Sequence, residues 1–328
     1  MVGNAHPTRL CYHKLWRKTM PQAVDKNPTI EELLAAIEAS KNSTNSTTSG
    51  SSTSTAVTGG TVFTDSDFKD LTNDDDNKRL SPNELANFTG GLRSLGGNDT
   101  IVGSSSGEAI NGNLGFDSLL GGGGDDTLRG GQNSDRIFGE DGNDIVNGNR
   151  GNDLVLGGNS NDIVRGGQDN DLLLGGEGRD TLIGDFGTDY LMGNDGDDLF
   201  ILRTETAEAI ASFADWIIDF DPNNDKIGLT GGLSRSDLSF ETISLNLGSR
   251  LDFLTSFNGE NFSSETEIPT QVLDPNGDGT VQGVLIRNNE RNSPFLNTVL
   301  GIVLNVTEAQ INNNSIFQSV PDSFLSLG

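Results

Sequence analysis

The stretch "EDGNDIVNGNRGNDLVLGG", residues 140–158, says nearly the same thing twice with an offset of nine. Asp144 and Asp153 are each followed two positions later by valine and four positions later by glycine. Stepping outward by nine gives Asp99, Glu108, Asp117, Asp126, Asp135, Asp144, Asp153, Asp162, Asp171, Asp180, Asp189 and Asp198, an acid at all twelve steps. Two residues past every acid stands Ile, Leu, Val or Phe, and glycine stands four past each of the first eleven. A unit of this length holds only a very short strand, too short to pair stably alone. Glycines on either side let the chain reverse through positive φ. Short strand and turn in alternation predict a flattened coil with two nonapeptides per circuit. Its apolar residues point inward and stack from one circuit to the next. Asp144 and Asp153 then lie on opposite edges, and each meets the acid eighteen residues away.

The turns pile acids and backbone carbonyls into two columns. Residues 97–198 carry twenty acids against five arginines. Unneutralised, that repulsion opposes closure of so thin a core. A hard cation that takes six to eight oxygens removes it, and Ca²⁺ suits a flexible all-protein cage better than Mg²⁺ does. Softer metals want His or Cys, and the chain has only His6, His13 and Cys11.

The units "GGGDDTLRG" (122–130), "NRGNDLVLG" (149–157) and "GEGRDTLIG" (176–184) resemble the haemolysin-type, repeat-in-toxin (RTX) calcium-binding nonapeptide GGxGxDxUx. The resemblance covers about a third of the chain. It implies a parallel β-roll with several Ca²⁺ ions held between successive turns. The ligands it implies are Asp99, Asp117, Asp126, Asp135, Asp144, Asp153, Asp162, Asp171, Asp180, Asp189 and Asp198, each with the acid one circuit away and turn carbonyls. It also implies secretion by a type I system, without a cleaved N-terminal signal peptide. Some units depart from the pattern: Ser106, Asn133, Ser160 and Asp169 replace the glycine two before the acid, and Glu108 is longer than Asp. The first sites are expected to be weak or absent.

Outside the roll, assigned to 96–202, the chain divides into four further parts. Residues 1–41 read as an irregular N-terminus with a short helix in "PTIEELLAAIEASK", and the Ser/Thr-rich 42–60 as a disordered linker. Residues 61–92 form an acidic segment in which "NDDDNKRLSPNE" resembles a single EF-hand loop. The resemblance offers Asn73, Asp75, Asn77, Ser81 and Glu84 as ligands. Asn73 at its first position and Lys78 in place of the turn glycine depart from that pattern. Residues 203–328 read as a β-rich terminal domain with strands in "DWIIDF", "LSFETISL", "GVLIRN" and "TVLGIVLNV". This part contains the acidic loop "DPNGDGT", whose Asp274, Asn276 and Asp278 are candidate ligands, and the resemblance to RTX proteins implies a secretion signal in its last stretch. The fold class expected is mainly β: a Ca²⁺-dependent solenoid, a β-rich C-terminal domain and a short helical N-terminus.

A net charge of −27 argues against nucleic-acid or anionic-membrane partners and in favour of cations. No run approaches the length of a transmembrane helix. "GSSSG", 103–107, matches a nucleophile elbow by letter but lies inside the second repeat, away from any strand-to-helix turn. No zinc-protease helix motif, P-loop or dinucleotide fingerprint is present. The reading favoured is a non-enzymatic, secreted calcium-binding protein with a structural or adhesive surface role toward a cell-surface or matrix partner. The competing reading is a hydrolase or toxin-like effector whose active region lies in 203–328, a stretch without His or Cys.

Overall fold

The computed structural model describes residues 64–204, 214–246, 280–289 and 298–321. The short helix expected in 28–41, the 42–60 linker and the loop with Asp274, Asn276 and Asp278 lie outside these residues.

The nine-residue rhythm becomes two parallel sheets lying face to face. One stacks Ala109–Leu114, Thr127–Gln132, Ile145–Arg150, Ile163–Gln168, Thr181–Phe186 and Leu199–Leu202. The other stacks Thr100–Val102, Ser118–Gly123, Arg136–Asp141, Leu154–Asn159, Leu172–Glu177 and Tyr190–Asp195. Within each sheet the partner of a residue is the one eighteen positions on, as in Thr127 with Ile145 and Leu154 with Leu172. One circuit is therefore two nonapeptides, and the chain forms a parallel β-solenoid of about six turns over 92–201.

The aliphatic residue of every unit, from Ile101 through Val146 and Val155 to Phe200, is at most 1% exposed and belongs to one continuous core. The core is a double file of side chains between the sheets. It closes below on Leu80 and Leu92 and above on Ile217, Phe220 and Ile227.

Both sheets continue beyond the repeats. The first adds Lys226–Leu229 and Phe317–Ser319. The second adds Trp216–Ile217 and Val299–Leu304 in parallel, and then Thr280–Asn288 and Leu238–Asn246 antiparallel. The four apolar stretches read from the sequence are these strands. Leu154, Leu172, Tyr190 and Trp216, on the outer face of the second sheet, share a second apolar cluster with Val281, Leu285, Val299 and Ile302. Among the described residues the only α-helix is the single turn Glu308–Ile311, capped by Thr307. No helix of the described residues is long and apolar enough to cross a membrane.

The EF-hand-like segment is corrected. Residues 73–84 do not form a helix–loop–helix. Phe68–Asp70 pairs with Gly91–Arg93, and Asn77–Arg79 pairs with Thr100–Val102, so this segment is an extra coil under the roll. The physical reason is burial: Phe68 and Leu80 plug the lower end of the core, which an exposed calcium loop would leave open to water. Glu84, expected as the closing ligand, is instead paired with Lys69 and Lys78, and it accepts the Ser81 N–H at 2.9 Å. Asp75 accepts the Asn98 N–H at 2.7 Å.

Candidate metal centre

Each acid of the rhythm stands where a turn enters a strand. The parallel pairing carries on through its backbone, as when Asp144 C=O accepts the Ile163 N–H at 2.8 Å. That placement directs the acid's own N–H along the stack toward the next circuit. There it meets a carboxylate: Asp117 N–H donates to Asp135 Oδ1 at 2.8 Å, Asp135 to Asp153 at 2.7 Å and Asp153 to Asp171 at 2.8 Å. On the opposite edge Asp126 donates to Asp144 at 2.7 Å, Asp144 to Asp162 at 2.7 Å and Asp162 to Asp180 at 2.8 Å. Two carboxylate columns result, one per edge, with the eighteen-residue step that the sequence predicts.

The second oxygen of each carboxylate has a different fate. Oδ2 of Asp99, Asp117, Asp126, Asp135, Asp144, Asp153, Asp162, Asp171, Asp180 and Asp189 is buried without a hydrogen-bond partner. A buried, unpaired carboxylate oxygen is costly, and this one recurs at ten of the twelve acids of the rhythm, all but Glu108 and Asp198. Burial is the main cause of a large upward push on the acids' pKa. It lifts Asp126 to about 8, Asp135 to about 9 and Asp144 to about 7, with neighbouring carboxylates adding to it. Asp162 and Asp171 are driven up the same way.

The glycine four past each acid is explained by the same oxygens. None of these eleven glycines has a left-handed φ, contrary to the role expected of them. Each from Gly112 to Gly193 instead leaves room for the carboxylate of the next unit. A Cβ on Gly148 would lie 2.2 Å from Asp153 Oδ2 and 2.7 Å from its Cγ. At Gly130 a Cβ would meet Asp135 Oδ2 at 2.3 Å and the Gly148 carbonyl oxygen at 2.8 Å. Left-handed backbone occurs five and seven residues past the acid, where Asn133, Ser160 and Asp169 adopt it at φ 77°, 86° and 77°. Gly148→Ala is therefore expected to displace the Asp153 carboxylate and raise the Ca²⁺ needed for folding at least about tenfold, the order found for disturbed ligand support. Gly232→Ala, at a left-handed turn with open space around the added methyl, is its strain control, and a calcium titration followed by circular dichroism compares the two.

Glu108 breaks the pattern. Its longer side chain turns back on its own loop, where Oε2 accepts the Ser104 N–H at 2.9 Å and Oε1 the Ser104 hydroxyl at 2.6 Å. Both oxygens are thus occupied by the chain itself.

A second ladder, unforeseen from the sequence, runs outside the first through residues that precede the acids, without a break from Asn143 to Thr188. Asn161 N–H donates to Asn143 Oδ1 at 3.2 Å, Asn170 N–H to Asn152 Oδ1 at 2.9 Å and Thr188 N–H to Asn170 Oδ1 at 2.8 Å. It points toward lower residue numbers, opposite to the inner ladder. Sequence reading also missed Asp76, Asp215, Asp219 and Asp225, which carry the columns past the repeats. Asp76 N–H donates to Asp99 Oδ1 at 2.7 Å, and Asp198 N–H to Asp225 Oδ1 at 3.0 Å. Asp219 accepts the Gly193 and Asn194 N–H groups at 3.0 and 2.9 Å.

The donor set is all oxygen, anionic and dry, and so it fits a hard divalent cation. Among the described residues no three His, Cys, Asp or Glu side chains converge on one point. This fits carboxylates set one circuit apart whose remaining coordination would come from turn carbonyls. A bound calcium ion supplies two positive charges and a demand for six to eight oxygens.

The fold and its columns define the class of calcium-binding β-rolls. Five overlapping stretches, 92–119, 102–137, 111–146, 138–173 and 165–200, match the RTX calcium-binding nonapeptide repeat family. Residues 92–200 are haemolysin-type RTX calcium-binding repeats. No curated protein matches the chain.

Proposed function

We propose that this is a secreted calcium-binding protein whose roll folds when it meets extracellular Ca²⁺, and that it serves a structural or adhesive role at a surface or in a matrix. The observation that carries the reading is the row of ten buried Oδ2 atoms without a partner. At neutral pH the metal-free chain can close only by burying these as unpaired anions or by taking up protons from solution, and on this reading it remains open. In that state it can be threaded through an export channel, here assigned to the type I route that RTX repeats accompany. Outside, where modules of this kind bind at ~10⁻⁴–10⁻³ M, the folded form alone binds the ion, and mass action draws the chain into the coil. The absence of His and Cys from 203–328 supports a non-enzymatic role.

The test is a Ca²⁺ titration of the full chain at pH 7.5, read by far-ultraviolet circular dichroism. A cooperative gain of β-structure near millimolar free Ca²⁺ is expected. A chain equally folded in excess chelator would refute the switch. Export is tested separately, by asking whether the protein reaches the medium when a type I exporter is present and not when it is absent.

A further inference from the structure

The column that ends the repeats at Asp189 does not end there. Trp216–Ile217 pairs in parallel with Tyr190–Leu191, which sets Asp215 beside Asp189 at the position every earlier circuit gives to its acid. Asp189 N–H donates to Asp215 Oδ1 at 3.1 Å, the same relay as Asp171 to Asp189 at 2.8 Å. Asp189 is 0% exposed and Asp215 7%. Asp189 Oδ2 has no hydrogen-bond partner.

The other three column ends are closed by donors of the chain. At the lower end of the same column, Asp76 Oδ2 accepts the Thr72 N–H at 2.9 Å and the Thr72 hydroxyl at 2.8 Å. On the opposite edge Ser104 closes the Glu108 end, and Asp225 Oδ2 accepts the Asp221 N–H at 2.7 Å. At the fourth end the terminal acid is Asp215, and Asp189 Oδ2, one rung inside it, has no hydrogen-bond partner, as Asp99 Oδ2 has none one rung inside Asp76.

We propose that Asp189 and Asp215 hold a further Ca²⁺ ion, outside the nonapeptides, at the junction of the roll with the C-terminal sheet. This rests on the reading of the roll as calcium-binding and extends it by one site. Trp216–Ile217 also pairs with Ile302–Val303, so the residues that grip this ion tie Val299–Leu304 to the last repeat. Calcium would then govern the attachment of the terminal sheet as well as the closing of the roll.

The test uses the full chain carrying Trp16→Phe, which leaves Trp216 as the one tryptophan. Calcium bound per chain is counted by equilibrium dialysis at saturation for this parent, for Asp215→Asn, which keeps an Oδ1 acceptor for the relay, and for Glu308→Gln, at an exposed acid outside the columns. Asp215→Ser is run in parallel in case the asparagine variant does not fold. The expected result is one ion fewer with Asp215→Asn or Asp215→Ser, and the parental number with Glu308→Gln. The free Ca²⁺ that half-completes the Trp216 fluorescence change is expected to rise at least about tenfold in the Asp215 variants. An undiminished count in a folded Asp215 variant would overturn the site. A parent that binds no calcium would overturn the roll reading instead.

Discussion

Stripped of divalent ions, the roll is expected to fold in mild acid and to unfold as the pH rises through neutrality. The acids of the columns have an ordinary pKa of 3.8 in an open chain, and burial lifts Asp126 to about 8, Asp135 to about 9, Asp144 to about 7 and Asp198 to about 9 in the coil. Between those two limits the folded form holds protons that the unfolded form has released. Stability must then fall as the pH rises, by about 1.4 kcal/mol per pH unit for each group within its window. The stabilisation is fully present below about pH 4 and is lost as the pH passes through 7 to 9. With several such acids per column, the loss exceeds the whole stability of a typical domain, about 5–15 kcal/mol. Circular dichroism in excess chelator should therefore report β-structure at pH 5 and its loss at pH 8. In millimolar Ca²⁺ the structure should persist at both values. A chelated chain no more folded at pH 5 than at pH 8 would mean that the carboxylates do not control closure.

Replacing Asp144, Asp153, Asp162 and Asp171 together by asparagine is expected to uncouple the middle of the roll from calcium. Asparagine keeps the Oδ1 acceptor that each relay needs, as the Asn143 and Asn152 positions of the outer ladder illustrate. It removes four buried charges, each of which costs several kcal/mol when unpaired. The variant should bind fewer ions, since two adjacent rungs on each edge lose their anionic ligands. It should also retain more β-structure than the parent in chelator at pH 8. The same titration and the same dialysis count measure both effects. An unchanged calcium midpoint together with an unchanged ion count would refute the ligand assignment.

The roll was legible in the sequence because its constraint is periodic and each period repeats the same three requirements: an acid, an apolar residue and a glycine. The glycine was placed correctly and explained wrongly. Its position suggested a turn, while the oxygen crowding it belongs to an aspartate five residues on and becomes visible only in three dimensions. The segment at 73–84 misled for the opposite reason. Oxygen-bearing residues at EF-hand spacing are a local pattern, and what decides the segment is distant: Leu80 closing the core and Asn77–Arg79 pairing with Thr100–Val102. Asp215 and Asp225 escaped notice because the step lengthens from 18 to 26 and 27 residues just where they enter the columns. Longer connections leave their register intact and destroy the rhythm by which the eye finds it.

The two sheets of the roll have unlike continuations, one leading to Phe317–Ser319 and the other to the antiparallel hairpin of Leu238–Asn246 and Thr280–Asn288. The molecule therefore has a parity. Deleting one nonapeptide would send every later strand to the opposite sheet and deliver the hairpin to the wrong side. Deleting two would shorten the coil and leave both ends correctly mated. The smallest length change that such a protein can inherit intact is thus a full circuit of eighteen residues, and the nine-residue unit is only half of what can be gained or lost.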